Sequence, residues 1–266
     1  MSFMSDSTDR PPSTSCLTWS QSGAVGRLIL DRPQKLNALS AELLHELVEV
    51  CAWLNSRDDV RVVVVSGSGR AFSAGFDLGD FVASATGNPR ASADLGRQAT
   101  EALANVPQLT IAAVRGRCIG GGVVLVSACD IRIASDDALF SIPEVDLGIP
   151  LAWGGIPRLV RELGPAITKE LVLTCRPFNA DEAHALRWIN TVVRDRDPEE
   201  HALTLAESLA SKPLHALRIT KAHVNAVLEE MIGTGRSIQD ADSLVYAMRD
   251  PESRDASMRY LKSRKK

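Results

Sequence analysis

No apolar run in this 266-residue chain approaches the roughly 20 residues needed to span a bilayer, so no membrane segment is expected. Cysteine is sparse: Cys16, Cys51, Cys118, Cys129 and Cys175 are scattered, odd in number and form no CxxC pair. That spacing argues against a disulfide framework or a zinc site and fits a reducing, cytoplasmic setting. An excess of one charge is also lacking. Charged residues make up 24% of the chain and the net charge is -3, which gives no electrostatic reason to expect nucleic acid or an anionic membrane as partner. The basic stretch from Lys262 to Lys266 is too short to change this and reads as a solvated helix terminus.

Familiar nucleotide and hydrolase signatures are missing too. There is no G-x-x-x-x-G-K-[ST] phosphate loop, and Gly67 and Gly69 are followed by Phe72 where a G-x-G-x-x-G would place its third glycine. The glycines of Gly67-Ser68-Gly69 sit one residue too close for a GxSxG elbow. His45, His184, His201, His215 and His223 show no metal-ligand spacing and lie in helical contexts, so no metal site is expected.

What is present is a chain that is 45% hydrophobic, enough for one large domain or a domain with an appendage. Residues 1–15, rich in Ser, Asp and Pro, read as a disordered lead-in and not as a signal peptide. Val25 to Leu30 predicts a strand, ended by Asp31-Arg32-Pro33. Ser40 caps a predicted helix with Leu43, Leu44, Leu47, Val48, Cys51 and Leu54 on one face. Arg61 to Val65 is a β-branched run typical of a strand covered on both faces, with the turn Ser66 to Gly69 ending it. Thr110 to Val114, Asp130 to Ala134 and Ala138 to Ile142 are further strands, and the alternation predicts an α/β architecture.

Beyond Gly154 the pattern turns mainly helical. Asn179 with Glu182 forms a capping-box pattern, Asp197-Pro198 starts another helix, and Pro213 to Leu228 is amphipathic. These shifts predict a core over residues 16–200 and a helical C-terminal region over 201–266, with no internal sequence repeat. The apolar face of that last region favours some assembly.

Two glycine-bearing segments stand out: Ala71 to Leu78 (AFSAGFDL) and Gly120-Gly121-Gly122. Glycines where a strand enters a helix let the backbone approach a ligand and aim N–H groups at it, and two such loops can serve one oxygen. Each loop taken alone reads first as a plain tight turn, since glycine is the default turn residue. Glu144, in Ser141 to Gly148, sits among apolar neighbours. It is either a desolvated acid suited to proton transfer or a local cap.

These segments, in order, resemble the enoyl-CoA hydratase/isomerase (crotonase) superfamily. The matching stretches are Arg32-Pro33 with Leu36 to Leu39; Ala71 to Leu78; Arg115-Gly116 with Gly120 to Gly122; Ala128 to Ala134; and Phe140 to Gly148. Further similarity runs from Pro157-Arg158-Leu159 through Ala183 and Asn190 to Val193, so that roughly residues 17–262 are covered. The resemblance implies a spiral of ββα units with a C-terminal helical trimerisation region, assembled as a homotrimer or homohexamer. It implies that the backbone N–H groups of Phe76 and Gly121 form an oxyanion hole. It further implies that Leu36, Ala38, Ala74, Gly75, Asp77, Leu78 and Gly120 bind an acyl-CoA thioester, with coenzyme A part of the substrate and no separate cofactor.

The acids depart from the hydratase pattern. Hydratases resemble one another in carrying two glutamates; here the first position is Val124 and the second is Glu144. Dienoyl-CoA isomerases would want acids at Val124 and Ala152, and both are missing. The single-acid pattern is most similar to Δ3,Δ2-enoyl-CoA isomerases. A hydratase recruiting Asp146 or Asp80, or a non-catalytic acyl-CoA binder, stays open. Trp153 either walls the acyl pocket or packs as ordinary core.

Overall fold

A computed structural model describes residues 10–77, 79–80, 88–195 and 197–263 of the chain. Most of the expected lead-in lies outside the described residues. Ser15, placed within it, is anchored: its N–H and hydroxyl both donate to the Glu46 carboxylate, at 2.7 and 2.8 Å.

The strands form two sheets. β1 (Leu17–Ser22), β2 (Val25–Leu30), β3 (Val62–Gly67), β5 (Leu109–Val114), β7 (Ile131–Ser135) and β10 (Thr191–Val193) lie side by side in that order. β1 is antiparallel to β2, and the remaining pairs are parallel. The smaller sheet has the order β4 (Ala71–Ser73), β6 (Arg117–Ile119), β8 (Leu139–Ser141), β9 (Phe178–Asn179). Successive pairs β3–β4, β5–β6 and β7–β8 thus each give one strand to each sheet. A helix follows each pair: α2 (Pro89–Asn105), α3 (Gly121–Ser127) and α4 (Gly155–Thr174). This is the crotonase spiral of ββα turns. The repeat is one of backbone path, and no matching periodicity is legible in the side chains.

The run of valines in β3 explains why this sheet is buried on both sides. Val63 and Val65 face the main core, whereas Val62 and Val64 face a second apolar cluster. That second face is covered by α6 (Pro198–Ala210), which follows the short α5 (Ala180–Ala185) and buries Ala202 and Ala206 against the sheet. Asp197 caps α6 by accepting from Glu199 N–H at 2.9 Å, and Arg27 pairs with Glu199. The division expected at residue 200 therefore falls inside a helix that belongs with the sheet. β3 also runs two residues into the expected turn, because Gly67 continues the pairing with Leu30.

α1 (Ala41–Leu54) starts at Ser40, whose hydroxyl accepts from Leu43 N–H at 3.2 Å. α2 went unread in the sequence. Its polar composition hides a single apolar line of Leu95, Ala99 and Leu103, four residues apart, behind an Asn88 cap and Pro89. α4 is broken at Gly164 (φ 76°), ahead of Pro165. Beyond it come α7 (Leu214–Ile232), α8 (Asp240–Ala247) and α9 (Pro251–Ser263). α7 buries only Lys221, whose ammonium donates to Gln108 O and Asp130 Oδ2, both at 2.8 Å. Ile219, Val224, Val227 and Met231 on the same helix are exposed. All five cysteines are free and buried. Among the described residues, no helix is long and apolar enough to cross a membrane.

Trp188 anchors the smaller sheet. Its ring meets Phe140 of β8 edge-on at 5.0 Å and Phe178 of β9 at 5.9 Å, while its N–H donates to Ser127 at 3.1 Å. Trp188→Ala is expected to cost about 3–5 kcal/mol of stability. A denaturant titration checks this, and a midpoint within error of the parent's would show that the cluster bears no such weight.

Candidate active site

The site is built where β4, β6 and β8 end. β4 and β6 are parallel neighbours, and β6 and β8 likewise, so their C-terminal ends open onto one edge. The segments that follow them carry Gly75-Phe76, Gly120-Gly121 and Glu144, respectively. Sequence places these groups far apart; strand pairing brings them together.

The first loop is held by the Leu36 to Leu39 stretch. Leu36 and Asn37 both adopt left-handed backbone (φ 50° and 53°). Ala74 N–H donates to Leu36 O at 2.8 Å, Leu39 N–H to Gly75 O at 2.8 Å, and Asp77 N–H to Leu39 O at 3.1 Å. Asn37 is fully buried and ties the stretch to its neighbours, donating to Ser68 O and Ala71 O, both at 2.8 Å, and accepting from Arg32 N–H. This is the physical content of the Leu-Asn-Ala motif.

Gly75 has φ 87°, a conformation that costs a side chain dearly, and there is no room for one. A Cβ there would sit 2.8 Å from Ile119 O and 3.8 Å from Gly121 N, so the two glycine loops touch. Gly121 opens α3, and N–H groups in a first helical turn have no intrahelical acceptor. Gly120 (φ 52°) donates to Ser141 O at 2.8 Å, which fixes the second loop to β8.

Glu144 lies in the turn after β8, with Ile149 N–H donating to its backbone oxygen at 2.9 Å. Its carboxylate rests on the bare face of Gly120: a Cβ there would collide with Oε1 and lie 3.2 Å from Cδ. Oε2 is buried, and among the described residues no hydrogen bond reaches it. Burial pushes the Glu144 carboxyl up to about 7, because the charged form loses its hydration and a backbone hydrogen bond at Glu144 offsets only part of that loss.

Two cavities meet at Phe76, Glu144 and Ile149. The outer cleft, about 480 Å³, is lined by Leu36, Ala74, Gly75 and Gly120 among others, with Arg117 and Tyr260 at its walls. The inner chamber is about 50 Å³ and apolar, walled by Val124, Leu151, Ala152 and Trp153 from the spiral and by Leu244 and Met248 from the C-terminal helices.

Of the expected ligand-binding residues, Leu36, Ala74, Gly75 and Gly120 line the cleft with Phe76, while Gly121 faces the chamber. Ala38 and Asp77 line neither cavity. Asp77 instead pairs with Arg32 at 3.1 Å and accepts from Gly79 N–H, so it braces the loop. Leu78 lies outside the described residues. Of the candidate second acids, Asp80 accepts from Ala41 N–H at 2.7 Å at the start of α1, and Asp146 is exposed in the outer cleft. Sequence reasoning missed Leu244, Met248 and Tyr260, since nothing local in the helices marks them as site residues.

Fold and site together define a crotonase-type protein. The family description "Enoyl-CoA hydratase/isomerase" matches residues 20–266, and the chain belongs to that family. It is 38% identical over 212 residues to a peroxisomal Delta(3,5)-Delta(2,4)-dienoyl-CoA isomerase of Arabidopsis thaliana, covering 75% of this chain and 76% of the relative. It is 33% identical over 240 residues to a crotonyl-CoA hydratase of Syntrophomonas wolfei, covering 90% and 92%. Among solved structures, an enoyl-CoA hydratase/isomerase from Mycobacterium paratuberculosis aligns with a TM-score of 0.86 at 25% identity, covering 93% of this chain and 100% of that one.

Proposed function

We infer that this enzyme is an enoyl-CoA isomerase that moves a double bond into conjugation with the thioester, with Glu144 as its one acid/base. The observation that carries the reading is the inner chamber: Glu144 is the single titratable side chain among its described lining residues, and Val124 and Ala152 face it with apolar surface. Hydration calls for a second group to hold and orient water. Proton transfer from C2 to C4 of the same acyl chain needs one base that can give back what it takes.

In this mechanism the thioester carbonyl accepts from the N–H groups of Phe76 and Gly121. Withdrawal of a C2 proton by Glu144 then shifts negative charge onto the carbonyl oxygen, giving an enolate held by two fixed dipoles. A donor of this kind typically contributes about 3 kcal/mol to the barrier. Protonated Glu144 returns the proton at C4, the electrons settle between C2 and C3, and the enzyme is regenerated. The apolar chamber suits a carboxylate that must be protonated for half of each cycle. Coenzyme A occupies the outer cleft as part of the substrate, and no other cofactor takes part.

The exposed apolar side chains of α7 fit burial against further copies of the chain, as a homotrimer or a dimer of trimers. Sedimentation equilibrium tests this, and a monomer at micromolar concentration would refute it.

The function is tested by following ultraviolet absorbance with 3-enoyl-CoA and, separately, 2-enoyl-CoA. Growth of the conjugated chromophore from the first is expected. Loss of the chromophore from the second would mean hydration, and silence from both with acyl-CoA binding intact would mean a non-catalytic binder.

A further inference from the structure

We propose that Trp153 is the residue that sets acyl-chain specificity, restricting the chamber beyond Glu144 to short acyl groups. Its indole is wedged between two glycines on different helices. A Cβ at Gly96 of α2 would overlap the ring, and one at Gly121 of α3 would lie 2.9 Å from Cη2 at its far edge. The two helices therefore each lack a side chain where the indole sits, and the ring fills the gap that separates them. It also meets Phe76 edge-on, at 5.5 Å between centroids.

The placement is built and held. Trp153 has φ 61°, a left-handed conformation that a bulky residue adopts only under constraint. Buried Thr100 of α2 donates to Trp153 O at 3.0 Å, and Asp240 of α8 accepts from Gly154 N–H at 2.9 Å. Ordinary core packing needs none of this. The consequence is the size of the chamber: about 50 Å³ has room for a handful of water-sized groups, and the indole fills the space between Gly96 of α2 and Gly121 of α3. An acyl chain entering past Glu144 meets the ring after a few carbons.

The inference rests on the acyl-CoA reading of the site but not on the direction of the chemistry, so its test is a binding measurement. Butyryl-CoA and decanoyl-CoA are titrated calorimetrically into the parent, Trp153→Ala, Gly96→Ala and the double variant. Trp153→Ala is expected to raise the decanoyl-to-butyryl affinity ratio by about tenfold or more, the scale of discrimination that apolar pockets achieve per group. Gly96→Ala pushes the indole toward Gly121 and is expected to weaken butyryl-CoA binding. In the Trp153→Ala background the same change is expected to do little, because Gly96 acts only through the ring. A ratio unmoved by Trp153→Ala, or a Gly96→Ala effect that persists without the indole, overturns the assignment. Failure of the parent to bind either thioester would instead sink the acyl-CoA reading itself.

Discussion

Glu144→Gln is expected to lower turnover by about 10²–10⁴-fold while leaving acyl-CoA affinity close to the parent's. The substitution keeps the size and shape of a side chain that rests against Gly120 and removes the only group in the chamber, among its described lining residues, that exchanges protons. A carrier would show no such split between turnover and binding. The pH profile adds a second readout. In the proposed mechanism the reaction begins with ionised Glu144, and burial holds this carboxyl at about 7 instead of its ordinary 4.5. Below pH 7 most of the enzyme is protonated and idle, so kcat/KM is expected to rise with pH through a midpoint near 7. A midpoint near 4.5 would show a solvated acid and remove the basis for the mechanism.

The same shift links to stability, and the sign can be worked through. A carboxyl raised in the folded state holds its proton more tightly there than in the unfolded chain. The stabilisation is complete below pH 4.5 and is lost as pH rises through about 7. Glutamine carries no such liability, so at pH 8 Glu144→Gln is expected to be more stable than the parent, by up to about 3 kcal/mol. An inactive variant that is also the more stable protein is the signature of a group kept for chemistry.

Gly75→Ala is the second change with a large expected effect. It combines a backbone penalty with a steric one. The αL region costs a non-glycine residue roughly 1–2 kcal/mol, and the new Cβ would press to 2.8 Å from Ile119 O. The Gly75 loop must then move off the Gly121 loop, and the two donors of the proposed oxyanion hole lose their common focus. A loss of about 10²–10³-fold in kcat is expected, with a melting temperature that falls only modestly. Steady-state kinetics with a 3-enoyl-CoA checks it; activity within a factor of a few of the parent would show that the spacing of these loops is not critical. Gly23 supplies the control: it is also at positive φ, but a Cβ added there would meet no atom within 4 Å. Alanine there should leave kcat unchanged.

Local physics made much of this chain legible without coordinates. A β-branched run covered on both faces, an apolar face closed by a serine cap and an asparagine cap at Asn179 each have causes within a few residues, and each appears within two residues of its expected bounds. The glycines were legible as positions where backbone approaches something, because few other residues tolerate those angles. Glu144 was legible only as an anomaly, an acid among apolar neighbours.

The tertiary structure decided what those anomalies mean. Parallel pairing of β4, β6 and β8 sets Gly75, Gly121 and Glu144 around one point, and pairing between strands distant in sequence is not written in any local pattern. It placed Asp77 and Asp80 in structural bonds and left Glu144 with an unpartnered oxygen. It brought α8 and α9 over the site, supplying Leu244, Met248 and Tyr260. It also gave Trp153 its meaning, since only the packing of α2 against α3 shows that two bare glycines leave a slot for one indole. The sequence alone determined which backbone could bend and which acid was out of place; burial and long-range pairing, which depend on the whole chain, decided what they face.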